Sequence, residues 1–396
     1  MFYIQNANRL TFNFSATKFK LCLSLILAVS FYICQGQYSI NSNAADEKLV
    51  SSTMDMIYNF EFADAQKNLI EIKKRFPNHP IYHFISAMYC YWEMVPIAIN
   101  HPRYKTYEYH LLKTIELSML LLQKKVHRAE ACFYLMGAHS SLIVVHSKNG
   151  DLTKAISEAR KTYIYMKEGF EYAERYPDFN FSTGLYYFYA AQFPETYPAI
   201  LPVMWFFTKG DKEKGVNYLK RSTKTAVFSK SESMFFLSHL YLKYFNQPSE
   251  AVKYTHVLAE KYPNNSFYIA RHTEALILQH QYQEAKPLVE KLLKNPIDFF
   301  QMSGYLFSGM IEMYDNHDYA GAKKDLEKSL QIAATTKKQT ADYESFAHLC
   351  LGLISEKEHN YKKAMAHFDI VDQKGEYTLH QAEVKAFKQR MKARNR

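Results

Sequence analysis

From about residue 47 onward, apolar residues recur at helical spacing in stretches separated by short polar or proline-containing breaks. The pattern predicts helix pairs near 47–76, 80–123, 128–175, 182–228, 232–262, 266–294, 298–334 and 340–372, with a last helix at about 377–392. The breaks repeat as well. Arg75-Phe76-Pro77-Asn78, Arg175-Tyr176-Pro177-Asp178 and Lys261-Tyr262-Pro263-Asn264 share one order of base, aromatic, proline and amide or acid. Proline just past a helix stops it, because it has no N–H to donate and disfavours helical geometry in the residue before it. Asn149-Gly150-Asp151 supplies a stop and then an Asp N-cap for the stretch from Leu152 to Arg175. Ala333 to Asp342, with two Thr-Lys steps and no apolar face, is expected to be an elongated loop.

Small residues keep matching offsets inside these pairs. Ala65 precedes Pro77 by 12, Ala251 precedes Pro263 by 12, and Ala251 to Ala285 is 34. Gly352 precedes Ala364 by 12 with Phe368 four beyond, and Gly309, Ala322 and Leu326 repeat this with one residue inserted. In this the chain resembles the tetratricopeptide repeat family, best from Met234 to Val371 and around Ala65, and in particular its exported bacterial type. The resemblance implies an all-α solenoid of antiparallel helical hairpins forming a right-handed superhelix. Small residues would let the two helices of a hairpin approach, and Leu69, Val289, Leu326 and Phe368 would bury against the next hairpin. The resemblance also implies that the protein works by holding a protein or peptide ligand in a concave groove.

The expected organisation is a signal peptide at 1–36, divergent hairpins at 37–228, and regular hairpins with a C-terminal capping helix at 229–396. Residues 184–211 read as an insertion, holding nine aromatics together with Pro194, Pro198 and Pro202, which are expected to break any helix there. Such a cluster either plugs the concave side as core or forms a partner surface. Tyr186, Tyr189, Phe193, Tyr197 and Trp205 are the candidate partner-binding residues. The alternative is glycan or small-molecule binding by the aromatic cluster 186–207, where flat rings would stack on sugars.

Composition narrows the function classes. Gly and Pro number only 12 each, which suits helices better than a loop-rich fold. Residues 1–36 hold Arg9, Lys18 and Lys20, no acid, and an apolar run from Leu21 to Ile33. That run is too short to span a bilayer but suits a secretory leader, with cleavage expected before Gln37 and a periplasmic or secreted product. An uncleaved leader acting as anchor is the other reading. Losing the leader lowers the net charge from +10 to +7. The basic run from Lys385 to Arg396 then complements the end of a helix dipole. Nucleic acid is set aside as a partner, since its recognition wants a basic face with interleaved aromatics.

Catalysis finds no support in the motifs. Cys90, Cys132 and Cys350 remain after the leader, an odd number that allows at most one bridge. Sixteen histidines show no His-Glu-x-x-His and no spacing that makes a metal site, with only His79 and His83 close together on either side of Pro80. Lys209 to Gly215 lacks the strand and the terminal Lys-Ser/Thr of a phosphate loop, and Asp211 is expected to cap a helix instead. The sequence therefore implies no enzyme, no cofactor and no metal.

Overall fold

The computed structural model describes residues 43–95, 101–124, 127–196, 201, 205, 207–336 and 340–394; the leader lies outside them. Helices make up the ordered elements of the described residues. They are α1 (Ala44–Tyr58), α2 (Phe62–Arg75), α3 (Pro80–Glu93), α4 (Tyr104–Leu122), α5 (Arg128–Lys148) and α6 (Leu152–Tyr172), then α7 (Phe179–Thr196), α8 (Lys212–Thr225), α9 (Lys230–Lys243), α10 (Pro248–Lys261), α11 (Ser266–Leu278) and α12 (Tyr282–Leu293). The last are α13 (Asp298–Ile311), α14 (Tyr319–Thr335), α15 (Ala341–Lys357), α16 (Tyr361–Lys374) and α17 (Thr378–Arg394). Successive helices pair as hairpins, α1 with α2 through α15 with α16, and α17 lies on α16. This is a tetratricopeptide-like all-α solenoid.

The turns inside the hairpins share one device. Phe60, Gly150, Asn246, His280, His317 and His359 each have positive φ, and the second helix of the hairpin begins two residues later. A left-handed residue there reverses the chain and closes the first helix. Asp151, Asp318 and Asn360 then accept a backbone N–H from the first turn of that second helix. The small residues read from the sequence behave as expected: Ala65, Ala251, Ala285, Ala322 and Ala364 are fully buried, each on a second helix. The residue inserted between Gly309 and Ala322 is absorbed by a π-helical turn, Glu312–Asn316, at the end of α13.

Two local expectations need correction. Pro194 lies inside α7, which continues to Thr196. A proline in the last turn forfeits only one helical hydrogen bond, so α7 tolerates it. The loop expected at Ala333 to Asp342 is trimmed at both ends: α14 reaches Thr335 with Ala333 buried, and α15 starts at Ala341. The C-terminal cations anchor α17 rather than merely facing its dipole. Lys388 pairs with Asp372 at 2.7 Å, Arg390 grips Glu356 with two bonds of 2.7 Å, and Arg394 lies 3.6 Å over the Tyr361 ring.

The stack closes on itself. The end of α1 meets the α10–α11 connection, where Asn265 donates to the Tyr58 carbonyl at 2.7 Å. Lys261 and Tyr262 both reach Asp55 at 2.7 Å, and the Asn264 N–H donates to Asn59 at 3.1 Å. Four hairpins further on, the pattern recurs. Thr378 donates to the carbonyls of Lys243 and Tyr244, and Lys243 pairs with Glu376 at 2.5 Å. Side chains fill the space inside each turn, with Tyr58, Trp92, Tyr262 and Tyr268 in the first and Phe300, Phe346 and Tyr377 in the second. The inner face that a concave groove would use is core here.

Candidate functional site

Residues 207–211, which lead into α8, are placed by three glycines and two tyrosines. A Cβ on Gly184 would lie 2.8 Å from the Gly215 carbonyl, and one on Gly215 would lie 2.7 Å from both the Gly184 carbonyl and the Phe188 nitrogen. Helices α7 and α8 thus cross backbone to backbone. On the return, a Cβ on Gly210 would strike the Ala190–Ala191 backbone at 2.1 Å, and the Asp211 N–H donates to the Tyr187 carbonyl at 2.8 Å. Asp211 then caps α8 by accepting from the Lys214 N–H at 2.9 Å. Tyr186 donates its hydroxyl to the Thr208 carbonyl at 2.7 Å, while the Thr208 N–H donates to the Tyr163 hydroxyl at 3.1 Å. Residues 207–211 are therefore fastened between α6 and α7.

This arrangement divides the five candidate residues. Tyr186 is half-buried against Phe170, at 5.1 Å between ring centroids, and serves the fastening just described. Burial raises its hydroxyl pKa, as it does for Tyr189. Tyr189 faces the other way, 6.1 Å from Tyr244 near the end of α9, and carries the Phe193 ring 5.0 Å above it. Phe193 is 43% exposed and Trp205 is 84% exposed. Tyr197 lies outside the described residues. The structure therefore brings Tyr189 and Phe193 together as a ledge, sets Tyr186 into the core side, and leaves Trp205 exposed, two residues before Phe207, whose ring lies 4.7 Å from Tyr163 on α6.

Beside the ledge, Asp211, Lys214, Asn217, Tyr218 and Arg221 line a shallow open groove on α8. The lining ring of Tyr218 stacks in parallel with Tyr187 of α7, 6.0 Å away, and Lys214 sits 4.0 Å over Tyr187. Arg221 is held by two bonds to Glu174. A sugar ring would find one of these aromatic faces already covered.

The ionisable groups elsewhere serve as pairs and caps. Asp178 is buried and accepts from the Phe228 and Ser229 N–H groups at 2.8 and 2.9 Å, capping α9 from the preceding hairpin. His139 and Lys161 both bind Glu158; burial opposes its charge, but these hydrogen bonds outweigh it and lower its pKa. His83 and His110 meet at 2.9 Å across one hairpin, and His348 and His367 at 3.0 Å across another. Burial, reinforced by the neighbouring imidazole, pushes His110 and His348 down to about 4, so both are neutral at pH 7. Cys90, Cys132 and Cys350 are separate, buried thiols, pushed up by burial to about 11, 12 and 12. Thiols held that high are poor nucleophiles. No group of three or more metal-ligating side chains converges among the described residues.

Sequence reasoning missed the solvent-facing side of α4 and α6. Leu112, Met119 and Leu120 on α4 and Leu152, Ile156 and Ile164 on α6 are each at least 45% exposed. The available signal is that α6 has apolar positions on two faces, one around Ala155 and one through Ile156 and Ile164, where a surface helix needs one.

No family model and no curated protein matches the sequence. Among solved structures, the chain is similar to one titled "Human IFIT1 dimer with PPP-AAAA", at 13% identity and a TM-score of 0.41. The match covers 79% of this chain and 68% of that one. A likeness of that degree decides nothing about what this chain binds, and the reading of the fold rests on the chain's own hairpins.

Proposed function

We propose that the chain is a non-catalytic scaffold working outside the cytoplasm, where it holds a protein or peptide partner at the end of α7. The observation that carries this is the Tyr189–Phe193 ledge: a large aromatic ring, 43% exposed and seated on a second ring, near the end of α7. Rigid aromatic anchors of this kind dominate binding energy at protein interfaces. The filled inner turns favour an outer ledge over a concave groove. In favour of a non-catalytic role, the buried carboxylates and imidazoles described above are engaged in caps and pairs, and the three buried thiols are held protonated. In favour of export stands the leader pattern at 1–36, with a mature chain beginning at Gln37.

The test replaces Phe193 with a photoreactive phenylalanine in the full chain and irradiates intact cells. The expected result is a discrete protein adduct that is absent when the same group stands at exposed Lys324. Equal labelling at both positions, or none at 193, removes the ledge as a docking site.

A further inference from the structure

Of the fourteen large apolar side chains exposed among the described residues, eleven lie between Tyr109 and Trp205. Helices α9 to α16 use the same architecture, yet expose only Val257 and Ile297. The excess therefore belongs to this region rather than to helical hairpins as such. Contacts join much of it into one face. The Tyr165 hydroxyl of α6 lies 3.6 Å from the Met119 sulfur of α4. Two residues earlier, the Tyr163 ring lies 4.7 Å from Phe207. Ile164, between them in the chain and 62% exposed, stands between the Met119 contact and the Phe207 contact, and exposed Trp205 lies two residues before Phe207.

Along α6 the solvent-facing stripe reads Leu152, Ile156, Arg160, Ile164, Lys167, each three or four residues from the last and each exposed; Glu171 follows one turn on. Neither Arg160 nor Lys167 has a carboxylate within ion-pair distance among the described residues. Aliphatic side chains alternate with unpaired cations, beside a tryptophan, on the outer layer of the stack. The concavity described above is lined by Asp211 and residues of α8, none of them from this stripe. A protein partner wants pockets for its anchors. A lipid surface does not: apolar side chains enter the headgroup boundary, lysine and arginine stems stretch to the phosphates, and tryptophan settles at the interface.

We propose that the outer face of α4 and α6, with Leu201 and Trp205 at its edge, rests on an anionic lipid surface. The contact is peripheral, since among the described residues no helix is long and apolar enough to cross a membrane. It goes beyond the scaffold reading and leaves the Phe193 ledge on the α9 side free for a protein.

The chain carries its own reporter, because Trp92 is buried and Trp205 is the exposed tryptophan. The full chain is mixed with vesicles of phosphatidylcholine containing phosphatidylglycerol, and with vesicles of phosphatidylcholine alone. Anionic vesicles are expected to move the tryptophan emission to shorter wavelength, brominated acyl chains to quench it, and added salt to weaken both effects. The Ile156→Asn/Ile164→Asn variant alters only exposed positions, so its helical dichroism should match the parent. Its partitioning should fall by about tenfold or more. The proposal is overturned if anionic vesicles leave the emission unchanged. A shift undiminished in the double variant overturns it too, placing the anchor elsewhere in the chain. A shift that follows protein concentration without lipid does the same, making the face an interface between two copies.

Discussion

His280, His317 and His359 all sit in the left-handed position that ends the first helix of a hairpin. Two of them hold the tyrosine two residues on, His280 with Tyr282 at 2.6 Å and His359 with Tyr361 at 2.9 Å. At His317 the comparable tyrosine, Tyr319, is taken by Lys357 instead. Left-handed backbone strains any side chain with a Cβ, so His317→Gly should stabilise the chain by about 1 kcal/mol in denaturant melts. No gain there would mean the imidazole has a structural partner. The His-x-Tyr recurrence was visible in the sequence, but its meaning was not, because a turn histidine and a ligand histidine look alike without coordinates. Glu232 is the opposite case, a residue with no sequence signal at all. It accepts a hydrogen bond from Tyr58 where α1 closes on α9, and burial pushes its carboxyl up to about 7. A folded pKa above the unfolded one means the fold binds the extra proton. The stability this gives is full below about 4.5 and is lost as pH rises to about 7. Glu232→Gln should therefore gain about 2 kcal/mol over the parent at pH 8, with little difference at pH 4. A constant gap across that range would show that Glu232 is solvated.

Helix positions were the part of the fold most legible beforehand, because hydrophobic spacing and proline stops act locally. The closest helix crossing was not. The repeat spacing points to Gly352 and Ala364, yet a Cβ at Gly352 would meet the Phe368 ring at 3.2 Å, which can yield, and the His367 Cβ at 3.4 Å, an ordinary contact. At Gly215 the obstacles are the Gly184 carbonyl and the Phe188 nitrogen, which cannot. The extra residues between α7 and α8 hide this pairing by breaking the repeat spacing. Gly215→Val should cost about 3 kcal/mol or more and loosen residues 207–211, whereas Gly352→Ala should cost about 1 kcal/mol. Hydrogen exchange at Thr208 and Asp211 reports the difference, and equal costs for the two substitutions would refute the backbone crossing. The candidate site was legible as a location, since aromatic density marked 184–211. Which rings face solvent was not, because orientation is set by Gly210 packing on α7 and by the Tyr186–Thr208 bond.

At the scale of the molecule, the repeat pattern implied an open groove, and the structure fills it. Closure depends on residues about two hundred positions apart, Asp55 with Lys261 and Tyr262, and Tyr58 with Asn265, which no periodicity links. Filling the interior pushes binding outward, onto the Phe193 ledge and the α4–α6 face. A double-cysteine variant, Asn59→Cys with Asn264→Cys, tests closure directly, because the two native asparagines touch and the described native thiols are buried. With a short bis-maleimide linker, the folded chain should cross-link in high yield and migrate as a compact species on a denaturing gel. If both new thiols label singly and no cross-link forms while the helical signal is intact, the stack is open and its inner face is available to a ligand.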